Sequence, residues 1–391
     1  MSKVSNYPIR LTPNGLKSQV RSDGGNYYVT KLPLGTGKGH LSPIMIIDTA
    51  SHETWIQCED CYPCIESKEK NFNYKLSTTF KRMSVDDPLC NPRLTYEGSC
   101  ALHATYGDAH AFGIVGKDVV FFQNALTGKP VAIQGFAFGC ALKNEGFKFY
   151  TSMRENSIVG IHGLALGPRS FLSQSRSHTK GRFSYCLAAG LGISNMYFGD
   201  EAQISGDATK EVRTIAMNKW IKYHVYLNAI SVEGIRISFD PSIFELDPIG
   251  YTKGFFVDSG APYTVLTRSA FKPIKDAVVK YLKEKYDWQP TPTPLPGLCF
   301  ETTKYPSDVQ LFPSVIFHFA GIGQQGEVDW VMDKNYLFQK KNQGFCMAMF
   351  SVDDPGPSLL GRYQQINFKV LFDVDNGLLS FLPQVCHEAS F

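Results

Sequence analysis

The ten residues IIDTASHETW, Ile46 to Trp55, carry an apolar, strand-like run into an aspartate and follow it with small and hydroxylated residues. A carboxylate closing a segment that otherwise reads as core is costly to bury unless something holds it or uses it. The pattern returns 210 residues later in GFFVDSGA, Gly254 to Ala261, again an apolar run, an aspartate, a hydroxylated residue and small residues. A second echo sets SIVGIHGLALG, Ser157 to Gly167, beside SLLGRYQQINF, Ser358 to Phe368. There Ile158-Val159-Gly160 matches Leu359-Leu360-Gly361. The chain reads as two copies of one unit, each owning one aspartate.

Composition agrees with that division. With 391 residues, 34 Gly and 22 Pro, there is enough chain for two ordinary cores and many turns. Hydrophobic residues make up 43% and charged residues 19%, and 28 Phe with 19 Tyr favour strands over helices. YYVTKLPLGTG, LSPIMIIDTA, YHVYLNAISVEGIRI and FKVLFDVDNGLLSFL all read as short strands between turn signals. The clearest helical spacing runs from Ser269, a candidate N-cap, to Tyr286. We expect an all-β, two-part fold: a loosely held polar arm, residues 1–24, a first half, 25–210, and a second half, 211–391.

The formal net charge of +3 is spread along the chain with no basic run interleaved with aromatics, so nucleic acid is not an expected partner. No stretch approaches the length of an apolar membrane span, and MSKVSNYPIRLTPNG lacks the apolar region of a signal peptide, so the chain is expected to be trimmed or never exported. Ten cysteines spread along the sequence read as disulfides rather than a metal site; Cys58, Cys61 and Cys64 lack a fourth ligand at zinc-finger spacing. His40, His52 and His110 suit no metal site, and no cofactor is expected. The absence of an N-x-Ser/Thr sequon leaves the compartment open.

Two carboxylates brought to one place cannot both ionise easily, so the pair retains one proton over a wide pH range. The ionised member can deprotonate a water while the neutral member protonates a carbonyl oxygen, which is what amide hydrolysis requires. Thr49, Ser51 and Ser259 can donate hydrogen bonds in and around the pair, and Gly260 allows close backbone approach.

On these residues the sequence resembles the pepsin-type aspartic proteases, in the plant nepenthesin-like branch, from Gly25 to Cys386. Asp48-Thr49-Ala50-Ser51 and Asp258-Ser259-Gly260-Ala261 match the paired catalytic motifs, Trp55 the tryptophan seven residues past the first aspartate, and Tyr106-Gly107-Asp108 the start of the flap. FAFGC at Phe136–Cys140, RFSYCL at Arg182–Leu187, FPSVIFHF at Phe312–Phe319 and LLGRYQQINFKVLFD at Leu359–Asp373 follow in the family's order. The resemblance implies a bilobal fold, a cleft between the lobes, Asp48 and Asp258 as catalytic residues, and a polypeptide substrate bound by Trp55, Tyr106, Gly107, Asp108, Thr49, Ala50, Ser51, Ser259, Gly260 and Ala261. It implies no cofactor or metal, a monomer, and secretion or a vacuolar location. It also implies disulfides Cys58–Cys61, Cys64–Cys140, Cys186–Cys386 and Cys299–Cys346, leaving Cys90 and Cys100 to pair with each other.

Four positions depart from the family pattern. Ala50 stands for a glycine, where a positive φ would strain it. Ala261 lacks a hydroxyl that would donate toward Asp258, an absence expected to raise that carboxyl's pKa. Ala109 and His110 replace flap Gly and Ser and set an imidazole where the flap folds over substrate. Met153 and Arg154, in the irregular stretch 141–156, read as a loop or a cleft rim. Two other activities share the scaffold's chemistry: a repurposed enzyme using the aspartates on a small metabolite, and a binding or inhibitor protein.

Overall fold

The computed structural model describes residues 15–387 apart from 150–154, 207–209, 220, 248–252, 293–296, 302–307, 324–325 and 342–343. Met153, Arg154 and most of the expected N-terminal arm lie outside the described residues. The molecule is a two-lobed, predominantly β structure.

Each lobe repeats one strand arrangement around its aspartate. In the first, Ile44–Asp48 lies between antiparallel Tyr28–Lys31 and parallel Ile158–Gly163, while Trp55–Gln57 crosses beside Ile158–Gly163 and runs parallel to Pro130–Glu145. In the second, Phe255–Val257 lies between antiparallel Tyr223–Val225 and parallel Ser358–Leu360, and Thr264–Thr267 crosses to run parallel to Met349–Val352. Parallel pairing buries a strand on both faces. All five residues of Ile44–Asp48 are buried, which is why the sequence before Asp48 reads as unbroken core.

The ladders correct the second echo by three residues. Ile161 and Trp55 pair as Leu359 and Val265 do, and Gly163 sits opposite Asp48, so the counterpart of Leu359-Leu360-Gly361 is Ile161-His162-Gly163, not Ile158-Val159-Gly160. A histidine in the apolar slot hid the match. Glycine is required at both places: a Cβ on Gly163 would lie 2.5 Å from the Glu53 carbonyl oxygen, and one on Gly361 would lie 2.2 Å from the Tyr263 carbonyl carbon.

A shared sheet joins the lobes, in the order Leu16–Ser22, Ile193–Phe198, Arg182–Cys186, Phe368–Asp373, Leu378–Pro383 and Arg213–Lys219. Leu16–Ser22 is thus a sheet strand and not part of a loose arm. Its apolar content is only Leu16 and Val20, both fully buried, too little to read as a strand until long-range partners are supplied. Across this sheet Phe183 stacks on Phe372 at 4.5 Å, and Cys186–Cys386 ties the two halves covalently.

The other disulfides are Cys58–Cys140, Cys61–Cys64, Cys90–Cys100 and Cys299–Cys346. Two expected pairings are therefore exchanged. Trp55–Gln57 runs beside Gly139–Ala141, which brings Cys58 to Cys140, while Cys61 and Cys64 close their own short loop. The helix runs Arg268–Tyr286 with Thr267 at its N-cap. Ser269 is not the cap; its N–H and hydroxyl both donate to the Asp354 carboxylate.

Candidate active site

Asp48 and Asp258 are nearly buried, 6% and 8% exposed, at the ends of equivalent strands. A reciprocal set of hydrogen bonds holds them together. The Thr49 N–H donates to the Ser259 hydroxyl oxygen (3.2 Å) and the Ser259 N–H to the Thr49 hydroxyl oxygen (2.9 Å). Each hydroxyl then donates to the strand of the opposite lobe, Thr49 to the Val257 carbonyl and Ser259 to the Ile47 carbonyl, both at 2.9 Å. Each hydroxyl both donates and accepts, so neither is orphaned. Thr49 and Ser259 are fully buried and join the two lobes beneath the carboxylates.

The carboxylates differ in what they receive. Asp48 accepts the Ala50 N–H (2.8 Å) on one oxygen and the Ser51 hydroxyl on the other. Asp258 accepts the N–H groups of Gly260 (2.8 Å) and Ala261 (3.0 Å) on one oxygen, and no hydroxyl. Burial, and then the charge of Asp48, push the Asp258 pKa up to about 7, against the opposing pull of Lys222 and those two N–H groups. Behind the pair, Gln365 donates to the Asp258 and Leu360 carbonyls and accepts from the Tyr185 hydroxyl.

Gly260 approaches its partner closely: a Cβ there would meet Asp48 Cγ at 2.6 Å. Ala50 stands at the equivalent place in the first lobe and carries the methyl that Gly260 lacks. The feared strain is absent, since Ala50 does not have a positive φ.

The flap hairpin Ser99–Tyr106 and Ala109–Asn124 turns at Gly107-Asp108, with Gly107 at φ +59° as a two-residue hairpin turn requires. Tyr106 accepts the Trp55 indole N–H at 2.8 Å, and Phe147 completes an aromatic trio at 5.2 Å from Trp55 and 5.9 Å from Tyr106. Burial and the Asp48 charge hold the Tyr106 phenol protonated by raising its pKa. His110 is one residue out of phase with that wall: it pairs across from Thr105, as Tyr106 does from Ala109, and stacks with Phe112, on which His103 also stacks, on the opposite face of the hairpin. It does not face the aspartates. Asp108 lies exposed at the turn.

Three groups near the site were not picked out from sequence. Arg169 and Glu53 form a buried ion pair, both about a tenth exposed, and Arg169 also donates to the Leu89 carbonyl. His162 is fully buried against Phe171 and Phe122, with Nδ1 3.3 Å from the Thr54 hydroxyl and Nε2 unpartnered, and burial pushes its pKa down to about 3. Lys222 stands beside Phe256 with its ammonium 4.2 Å from the ring centre. Only His162 left a trace in the sequence, as a polar break in an apolar repeat. Among the described residues there is no His, Cys, Asp and Glu cluster that could hold a metal ion, and no helix long and apolar enough to cross a membrane.

Two lobes, each presenting an aspartate at the end of an equivalent strand and fastened by a hydroxyl pair, define a pepsin-like aspartic protease scaffold. The families described as "Xylanase inhibitor N-terminal" and "Xylanase inhibitor C-terminal" match residues 28–200 and 222–383. The chain is 29% identical to aspartic proteinase nepenthesin-1 of Nepenthes gracilis, over 96% of this chain and 81% of the relative. It is 30% identical to aspartyl protease family protein 2 of Arabidopsis thaliana, over 96% of this chain and 74% of that one. Among solved structures it superposes on edgp with a TM-score of 0.72 at 18% identity, covering 94% of each chain, and on basic 7S globulin from soybean with 0.69 at 19%, covering 95% of each. The chain belongs to the pepsin-type aspartic proteases, in the plant nepenthesin-like branch.

Proposed function

We propose that the chain is an endopeptidase that hydrolyses polypeptides bound between its lobes, with Asp48 and Asp258 as the catalytic residues. The observation that carries this reading is the unequal hydrogen bonding of two adjoining buried carboxylates. Asp48 receives a hydroxyl and an N–H donor; Asp258 receives no hydroxyl, is pushed up by burial and then by the Asp48 charge, and keeps the shared proton.

A water held between them gives a proton to Asp48 as its oxygen attacks the scissile carbonyl carbon, and Asp258 gives its proton to the carbonyl oxygen. Breakdown of the tetrahedral diol reverses the roles: one hydroxyl proton returns to Asp258, Asp48 protonates the leaving nitrogen, and the C–N bond breaks. No cofactor enters. Tyr106, Gly107 and Asp108 cover the substrate from the flap, with Trp55 bracing Tyr106, while Thr49, Ala50, Ser51, Ser259, Gly260 and Ala261 form the floor. The five disulfides support a secreted or vacuolar setting, and residues 25–210 and 211–391 serve as the two lobes of one monomer.

The test is incubation of the folded chain with an unfolded protein between pH 4 and 8, with and without a statine-type inhibitor. Cleavage that the inhibitor blocks is the expected result. A folded protein that cleaves nothing across that range overturns the reading and favours a binding protein, the alternative that the inhibitor families matched above keep in play.

A further inference from the structure

The strands beside the two aspartates carry different chemistry at equivalent places. Val29 pairs with Ile46, so two residues further along that antiparallel ladder Tyr27 is set against Asp48. His224 pairs with Phe256, and the same continuation sets Lys222 against Asp258. Tyr27 and Lys222 are therefore counterparts, one on each side of the carboxylate pair.

Tyr27 belongs to an aromatic surface, with Asp23 and Arg362 on its other side. Its ring meets Phe149 at 5.6 Å, Phe149 meets Phe147 at 5.5 Å, and Phe147 touches Trp55 and Tyr106. Lys222 belongs to a cationic one. Phe256 precedes Asp258 by two residues, and alternation along a strand puts both side chains on one face. The Lys222 ammonium lies over that Phe256 ring, is half-buried, and forms no ion pair among the described residues. Its backbone is fixed on either side: the Ile221 carbonyl accepts the Leu166 N–H at 3.1 Å, the Lys222 carbonyl accepts the His224 N–H at 3.0 Å, and the Tyr223 hydroxyl donates to the Leu164 carbonyl. The lysine reaches the carboxylate electrically, since it lowers the Asp258 pKa.

We infer that Lys222 is a specificity-determining residue that selects an acidic side chain of the substrate on the Asp258 side of the scissile bond, while the Tyr27 side takes apolar residues. This rests on the protease reading for its setting. A half-buried, ring-backed ammonium that feels Asp258 but forms no ion pair among the described residues gains a direct partner when a substrate carboxylate arrives, and a partly desolvated pair discriminates more than an exposed one.

The experiment uses the full chain and matched peptides with Asp or Asn at each of the first three positions on either side of the scissile bond. The wild type should show a kcat/KM ratio of about five- to tenfold for Asp over Asn, on one side only, shrinking as salt is raised. Lys222→Gln should bring the ratio to one, and Lys222→Glu should invert it, with near-ultraviolet circular dichroism confirming that both variants are folded. A wild-type ratio of one at every position, or a Lys222→Glu ratio like that of the wild type, overturns the inference. The same peptide pairs built around a statine centre, titrated calorimetrically, read the preference without turnover. Acid-selective binding without cleavage keeps this inference and rejects the protease reading; cleavage without acid preference does the reverse; neither binding nor cleavage rejects both.

Discussion

Asp48 is given a hydroxyl and one N–H, whereas Asp258 is given two N–H groups and no hydroxyl. The supporting strands differ in the same unequal way: where the second lobe has Leu360 in its core, the first has His162. Two copies of one topology can thus hold the same acid in different protonation states by changes of a few atoms. The hydroxyl acts on the anion and does not change the fold.

The largest break in this comparison is removal of either carboxylate. Asp48→Asn and Asp258→Asn should each lower kcat/KM by several orders of magnitude while leaving the protein folded, because neither member can both deprotonate water and protonate the carbonyl. Steady-state assays with a folding control decide it. A variant that retains a tenth of wild-type turnover would show that the two carboxylates do not work as a pair.

Next in size is the acid sensitivity built in by His162. Its folded pKa of about 3 lies below its ordinary value of 6.5, so the unfolded chain binds the proton first. The stability that neutral His162 contributes is complete above pH 6.5 and is lost as pH falls toward 3, at about 1.4 kcal/mol per pH unit. Between pH 6.5 and 4.5 that is about 2.7 kcal/mol. His224, held down to about 4 chiefly by burial, adds in the same direction. His162→Leu, which makes the first lobe match the second, should shrink the gap between urea-unfolding free energies at pH 7.5 and 4.5 by roughly that amount. An unchanged gap would mean that the imidazole is solvated in the native state.

A smaller effect is expected from restoring the missing hydroxyl. Ala261→Thr supplies Asp258 with the donor that Ser51 gives Asp48, so the anion gains and its pKa falls from about 7. A hydrogen bond to a charged group is worth roughly 1.5–3 kcal/mol, an upper limit of about one to two pKa units. The kcat/KM profile should move toward acid; a profile that stays put or moves toward alkali would show that water already fills the role. Least of all, Ala50→Gly makes the first motif match Gly260 of the second by removing one methyl and should shift the profile the same way by less than Ala261→Thr. A larger shift than the threonine variant would reverse the ranking of the two causes.

Much of this was legible in the sequence. The aspartate motifs, Trp55, Tyr106 and the order of the later motifs fix the topology because each is local and chemically distinctive. The carboxylate asymmetry could be anticipated at Ala261, since the lost hydroxyl belongs to the motif itself. What escaped depends on chain segments far apart. The strand Leu16–Ser22 has two buried residues and gains its pairing from Ile193–Phe198. The Cys58–Cys140 bond follows from which strand runs beside Trp55–Gln57. His162 disguised the true repeat, and Lys222 takes its meaning only from the strand that sets it beside Asp258.

The hydroxyl grip between Thr49 and Ser259 also bears on when the two aspartates come together. Its two halves are 210 residues apart, and at a synthesis rate of about 5–20 residues per second the second reaches the ribosome exit some tens of seconds after the first. Until then the first lobe holds one aspartate and half of an interlocking set of hydrogen bonds. The nascent chain therefore carries only one of the two paired aspartates while its own unfolded segments are most exposed, and the delay is set by the 210-residue separation and the rate of synthesis.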